Sequence, residues 1–207
     1  MLKLTCTAVL IVALTGCSDP KQASDKNFKA AIQEYLNTAY PKCYFNEKFP
    51  VQIDTDSFGR RAALQSLAKA GLLSETELSR REFKDWNGNV KLIIKSEYAL
   101  TDTGRKFYNP NARQVMNREI GGFCIGKAKV REINRFTEPA DMLGHRITKV
   151  NYSYSIDELP EWATMLEVKA AIPGLKEAAD STATPIKETD TLVLTNNGWV
   201  HERLFAK

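Results

Sequence analysis

Histidine is almost absent from this chain. Only His145 and His201 occur among its 207 residues. No HExxH and no short His pair exists, so a zinc site would need Asp and Glu for most of its ligands. No G-x-S-x-G elbow is present to carry an activated serine. The acidic trio Asp157, Glu158 and Glu161 opens a helical stretch, where capping and the helix dipole explain the charge better than paired acid–base work does. One phosphate-loop pattern does occur. Gly121-Gly122-Phe123-Cys124-Ile125-Gly126-Lys127 satisfies G-x-x-x-x-G-K, but Ala128 replaces the hydroxyl that would bind magnesium. These gaps leave no catalytic set, no metal site and no cofactor to expect, and no internal repeat is visible. A hydrolase is the least favoured reading; it would have to work through Asp157 or Glu161.

Cysteine is scarce too, with four in all, and their positions are informative. Two lie near the N-terminus. Lys3 precedes an apolar run from Leu4 to Ala13 that is too short for a permanent membrane span but of signal-peptide length. Leu14-Thr15-Gly16-Cys17 follows. This tetrad resembles the lipobox of bacterial lipoproteins. The resemblance implies a signal peptide over 1–16, diacylation of the Cys17 thiol, cleavage before it, and acylation of the new amine. Each buried CH₂ of an acyl chain contributes roughly 0.8 kcal/mol, so several chains anchor stably. Ser18, where an Asp would stand in inner-membrane proteins, permits sorting to the outer membrane by likeness to enterobacterial lipoproteins. The implied location is the cell membrane by lipid anchor, at the outer membrane facing the periplasm. The competing readings are an uncleaved signal anchor, or a plain secretory signal with a coincidental cysteine. The chain resembles small enterobacterial lipoproteins, a likeness that supplies a place and no activity.

Removing Cys6 with the signal peptide and Cys17 with the lipid leaves Cys43 and Cys124. In an oxidising compartment two such cysteines pair, the alternative being free thiols. A bridge closing about 80 residues would constrain the unfolded chain by about 4–5 kcal/mol on the entropy model.

Charge is uneven. Residues 57–135 hold 16 basic and 8 acidic side chains, whereas 136–207 hold 7 basic and 11 acidic. In the envelope a basic face meets lipid head groups, lipopolysaccharide phosphates or peptidoglycan carboxylates. Arg80, Arg81 and Lys84 are the candidate contacts; a solvated face without a ligand is the alternative. Nucleic acid is not an expected partner, because an envelope protein meets no chromosome.

The polar residues 17–26 read as a tether containing Pro20. Asp25 to Tyr40 reads as a helix capped by Ser24 or Asp25, with Phe28, Ile32, Leu36 and Ala39 inward and Pro41 ending it. Cys43 to Ile53 is a strand or an extended loop. Asp56 or Ser57 caps a second helix, with Phe58, Leu64, Leu67 and Ala68 inward and Gly71 as its stop. A polar strand from Ser79 to Trp86, the Asn87-Gly88 turn and a return strand from Val90 to Leu100 form a hairpin. Leu64-x-x-Leu67-x-x-x-Gly71-Leu72-Leu73, this hairpin and Tyr98-x-Leu100-Thr101-x-x-Gly104-Arg105 together resemble the second half of a winged-helix domain over residues 57–108. Arg60, Arg61 and Lys91 lie in the same neighbourhood.

From Phe123 the pattern turns to strands. A long strand reaches Phe136, its apolar phase shifting between Val130 and Ile133 as at a bulge. Ile147 to Ile156 alternates, with Val150, Tyr152, Tyr154 and Ile156 on one face and Lys149, Asn151, Ser153 and Ser155 on the other. A helix with Trp162 and Leu166 runs to Pro173-Gly174. Residues 176–190 read as a surface loop, and Thr191 to Phe205 as a hairpin turning at Asn196-Asn197-Gly198. The expected fold is therefore α+β: a winged-helix-like part over 27–115, then an antiparallel-sheet part over 116–207 with one helix. Trp162 and Trp199 are the candidate contacts for an envelope protein partner. His201, beside Glu202, reads as an exposed cross-strand residue. The function expected is a lipid-anchored periplasmic protein that acts by binding, an accessory factor of the envelope. The alternative is an inhibitor or immunity-type lipoprotein directed against an envelope-attacking enzyme.

Overall fold

A computed structural model describes residues 19–55, 59–142 and 144–205. The stretch read as a signal peptide, Cys17, and the helix start expected at Asp56, Ser57 and Phe58 lie outside the described residues. Helix α1 (Asp25–Ala39) begins where the Ser24 hydroxyl accepts from the Asn27 amide. It buries Phe28, Ile32 and Leu36, while Ala39, in its exposed last turn, stays in solvent. Strands β1 (Lys42–Asn46) and β2 (Val51–Ile53) follow. Helix α2 (Arg60–Lys69) starts after Gly59, with no side-chain cap, and buries Ala63, Leu64 and Leu67. Gly71 then turns the chain at φ +76°, a region that only glycine enters without strain.

Strands β3 (Leu73–Lys84) and β4 (Val90–Leu100) form a long hairpin, and β2 pairs with the far edge of β4 to give a sheet in the order β2-β4-β3. Strand β3 begins six residues before the expected Ser79. Leu72 and Leu73 belong to the core, and the chain enters the sheet directly from the Gly71 turn. The four-residue helix α3 (Asp102–Arg105) explains the Gly71-Leu72-Leu73 and Thr101-x-x-Gly104 patterns together. The Thr101 hydroxyl donates to Gly71 O at 2.7 Å and accepts from Gly104 N at 3.0 Å, and Thr101 N donates to Leu72 O. Gly104 lies so close to Leu72 that a Cβ there would stand 2.0 Å from the Leu72 carbonyl oxygen. The pattern records helix α3 docked on the turn that precedes β3.

A second hairpin, β5 (Tyr108–Val115) with β6 (Arg118–Ile125), turns at Met116-Asn117, both with positive φ. Adjacent left-handed residues close a two-residue loop that follows the strand twist. Strand β1 pairs with β6 on its other side, giving the order β1-β6-β5. Gly126, at φ +83°, divides the expected single long strand into β6 and β7 (Lys127–Phe136). The expected phase shift is present: the register of β7 slips between Val130 and Glu132, and again between Ile133 and Arg135.

Strands β8 (Ala140–Met142) and β9 (His145–Asp157), helices α4 (Glu161–Thr164), α5 (Leu166–Ala171) and α6 (Leu175–Asp180), strands β10 (Ile186–Thr195) and β11 (Gly198–His201), and helix α7 (Glu202–Phe205) complete the chain. The third sheet runs β11-β10-β9-β7, with β8 also on β9. Three corrections arise here. Residues 176–190 are not a surface loop: they hold most of α6 and the first half of β10, which pairs with β9 from Ile186↔Tyr154 to Val193↔Ile147. The chain breaks at Met165, so Trp162 and Leu166 lie on separate short helices, Trp162 buried and Leu166 exposed. Ser153 and Ser155 are buried on the face of β9 expected to meet water. Ser155 Oγ accepts from Arg131 Nε at 2.7 Å and donates to Asp157, which satisfies its polar group without solvent.

The fold is α+β with antiparallel sheets and two apolar clusters. One holds Phe28, Ile32 and Leu36 of α1 against Val130, Tyr152, Ile156 and Trp199. The other gathers Leu64, Leu67, Leu72, Tyr98, Phe123 and Trp162. Tyr44 and Leu159 pack against both. The stretch read as a tether is docked from Asp19 onward, as Lys21 O and Gln22 O accept from the Trp199 indole.

Candidate binding surfaces

The β3–β4 hairpin extends beyond its sheet. Pairing with β2 ends at Ile53↔Ser96, and from Ser79↔Lys95 outward β3 and β4 pair only with each other among the described residues. Six further pairs carry the arm about 20 Å at roughly 3.3 Å per residue. At its end Asp85 organises the loop: its carboxylate accepts from the backbone amides of Asn87 and Asn89 and from the Asn89 side chain. The Asn89 side chain first, then its amide, hold the Asp85 carboxyl below the ordinary carboxylate range. Gly88 takes φ +86°. Trp86, inside this ordered loop, is 94 % exposed.

Five of the eleven large apolar side chains exposed among the described residues fall on this one arm: Leu78, Phe83, Trp86, Val90 and Leu92. Between Leu78 and Lys95 stand five basic and two acidic side chains. Register sorts them by face. Arg81, Lys91 and Lys95 share one face with Phe83 and Ile93; Arg80 and Lys84 share the other with Glu82, Val90 and Leu92. Arg80, Arg81 and Lys84 are thus on one element but not on one face. Arg80 is also engaged by Glu77, through Nε–Oε1 at 2.9 Å and Nη2–Oε2 at 2.8 Å. That bidentate pair holds the Glu77 carboxyl below its ordinary range.

The other sites read from sequence are dispersed. Cys43 and Cys124 face each other across β1 and β6 and are joined by a disulfide. Trp162 and Trp199 are both 6 % exposed, and neither ring presents a surface to a partner. Trp162 packs on Phe107 and Phe123; Trp199 packs on Phe28. Asp157 is paired with Arg131 and Glu158 with Lys127. Glu161 occupies the first turn of α4. The Gly121-Gly122 pair of the phosphate-loop pattern lies in strand β6, where a Cβ on Gly121 would meet the Tyr108 ring and one on Gly122 would meet Asn46. Their small size serves close packing. Among the described residues no three His, Cys, Asp or Glu side chains gather as metal ligands.

Two further features escaped the sequence reading. An open cleft of about 1310 Å³ runs along the β5–β6 hairpin, floored by Phe49, Tyr108 and Ile120 and edged by Lys48, Gln114 and Arg118. The second is a polar cluster beneath α1. His201 is fully buried rather than exposed, stacked on Tyr35 at 3.7 Å, and its Nδ1 accepts from Arg203 N. Its Nε2 stands 3.2 Å from Asp190 Oδ2 but too far off line for a hydrogen bond. The Tyr152 hydroxyl reaches Asp190 at 2.7 Å and Glu188 at 3.0 Å, and Tyr154 reaches Glu188 at 3.2 Å. His201 and then Tyr152 hold the Asp190 carboxyl below the ordinary range, against the opposing effect of burial. Burial, reinforced by neighbouring hydroxyls and carboxylates, pushes both tyrosines far upward. The available signal was Glu188-Thr189-Asp190, whose i, i+2 spacing puts both carboxylates on one strand face.

No protein-family model, curated protein or solved structure matches the chain. Its chemistry has to be read from its own residues. The cluster under α1 joins buried Tyr152, Tyr154 and His201 to the more exposed Glu188 and Asp190 and is bonded largely within itself, so it supports packing; the arm is the surface with unspent binding capacity.

Proposed function

We propose that the protein is a lipid-anchored periplasmic factor of the cell envelope, held by Cys17 at the outer membrane and acting by binding an envelope protein rather than by catalysis. One observation supports this above the rest: the projecting β3–β4 arm, with Trp86 94 % exposed at its tip and cations along both faces. An aromatic that costs little conformational entropy to immobilise, flanked by basic side chains, is the make-up of an interface anchor. The complementary partner carries an acidic surface with an apolar recess. In this reading the helix-and-hairpin stretch that resembles half a winged-helix domain over 57–108 presents its wing to protein and not to nucleic acid.

The arm equally favours a second reading, an inhibitor or immunity-type lipoprotein, because a narrow projecting hairpin fits an enzyme's cleft. A hydrolytic role through Asp157 and Glu161 has less support, since Asp157 is already matched by Arg131.

A photo-cross-linking residue at position 86, used in intact cells, tests the reading. A single stoichiometric protein adduct is expected. Trp86→Ala and the combined Arg80→Glu, Arg81→Glu and Lys84→Glu variant should each remove it while leaving the melting temperature unchanged. Cross-links arising only from positions off the arm would overturn it. An adduct with an endogenous envelope protein supports the accessory role, and one formed only with an incoming enzyme supports the inhibitor.

A further inference from the structure

We infer that the end of the molecule formed by Asp19–Gln22 and Asn196-Asn197 rests on the phospholipid headgroup layer, and that the arm springs from the opposite end. The inference rests on the lipoprotein reading of Cys17 and adds an orientation to it.

The first support is the docking of the N-terminal segment. Trp199 Nε1 donates to Lys21 O at 3.1 Å and to Gln22 O at 3.2 Å. Asn27 Nδ2 donates to Asp19 O at 2.8 Å and to Gln22 O at 2.9 Å. Gln22 N closes the turn on Asp19 O, and Lys21 N donates to Asp19 Oδ1. Gly198 takes φ +122° and lies against Pro20, where a Cβ would stand 2.9 Å from the Pro20 carbonyl oxygen. A polar, proline-containing segment that sequence reads as a free spacer is therefore part of the folded body. Only two peptide units separate Cys17 from Asp19, about 7 Å of chain at full extension. A lipid on Cys17 thus holds this end of the body at the bilayer surface.

The second support is the direction of the long elements. Helix α1 runs antiparallel to β7: Lys29 reaches Arg131 O and Gln33 reaches Ala128 O. Phe28 meets Phe136 at 4.8 Å beside Trp199. Strand β7 therefore leads from Gly126, at the junction of the two clusters, to Phe136 at the anchored end, a distance of about 30 Å. The arm is rooted through Leu73 and Tyr98 in the cluster beyond that junction.

The third support is the chemistry of the anchored end. Asp19, Lys21, Gln22, Asn196 and Asn197 are all exposed, and Pro20 and the 40 % exposed Phe136 add apolar surface at the same end. Amides and an ammonium suit phosphates and glycerol esters, and would be costly deeper in the acyl region. In this orientation the polar turn residues meet the headgroups.

The test uses the full lipidated chain, with Asn197→Cys or Asn87→Cys carrying a bimane fluorophore. Acylation is first established by intact mass. The protein is then reconstituted in phosphatidylethanolamine–phosphatidylglycerol vesicles containing a headgroup-labelled nitroxide lipid. Quenching at 197 is expected to exceed that at 87 several-fold, and a ten-residue Gly-Ser insertion between Ser18 and Asp19 should abolish most of the difference. Equal or stronger quenching at 87, or a difference that survives the insertion, overturns the inference while leaving the lipoprotein reading intact. A chain that carries no acyl groups overturns both.

Discussion

Asp190 concentrates the acid-sensitive stability of the polar cluster. Its carboxyl is depressed by His201 and Tyr152. A depressed carboxyl contributes stability that is complete above the unfolded value near 3.9 and is lost as the pH falls through the folded value. Asp190→Asn should therefore be less stable than the parent by about 1–2 kcal/mol at neutral pH, the worth of a charged hydrogen bond. Urea midpoints should show the gap narrowing as the pH drops from about 4; a gap constant down to pH 2 would refute this. Tyr44 makes the opposite case. Its hydroxyl is buried beside that of Tyr40 and makes no hydrogen bond of good geometry among the described residues. Removing an unpaired buried group while keeping the ring should be neutral or should stabilise by up to about 1 kcal/mol. Tyr44→Phe should accordingly melt no lower than the parent. At this scale sequence was a poor guide. His201 beside Glu202 looks like an exposed hairpin residue, and nothing local shows that Tyr35 of α1 covers it.

Among the elements, the turn between α2 and β3 is the most constrained. Gly104→Ala drives a methyl into the Leu72 carbonyl, which cannot rotate away because its oxygen already accepts from Thr101 N. A loss of about 2 kcal/mol or more is expected by chemical denaturation, against about 1 kcal/mol for the cap alone in Thr101→Ala. A milder effect at 104 than at 101 would mean that the contact relaxes. Of this region sequence supplied the Gly71 stop and the Leu72-Leu73 and Thr101-x-x-Gly104 patterns, while the Thr101 cap, the docking of α3 and the start of β3 at Leu73 came from the structure. Helix α1 and the apolar face of β9 were legible because their signals are local. Residues 186–190 were not, since Lys187, Glu188, Thr189 and Asp190 read as loop by composition, and their strand conformation comes from pairing with Tyr154 through Val150. The β5–β6 hairpin was hidden likewise. Its turn uses Met116-Asn117 in the left-handed region instead of an Asn-Gly signal.

Over the whole molecule, two apolar clusters meet at Tyr44 and Leu159, and β6 continues into β7 through Gly126. The disulfide lies beside that junction, between β1 and β6. Such continuity predicts one cooperative unfolding transition, with near- and far-ultraviolet circular dichroism melting together. Two separated transitions would show that the clusters fold independently. Reduction should lower the midpoint without splitting it, with about 4 kcal/mol as the entropic estimate for a loop spanning this separation. Sequence by itself determined the α+β class, the burial of Phe28, Ile32 and Leu36 in α1 and of Leu64 and Leu67 in α2, the slip in β7, the Val150-to-Ile156 apolar face of β9 and, once Cys6 and Cys17 are set aside, the pairing of Cys43 with Cys124. All of these follow from residue types repeating at the period of the element or from the count of available partners. Only the tertiary structure decided that Trp162 and Trp199 are interior while Trp86 stands in solvent, that Arg81 faces away from Arg80 and Lys84, and that the supposed tether is docked. Those outcomes depend on which surfaces distant segments cover, and burial is a property of the packed molecule that no local run of residues encodes.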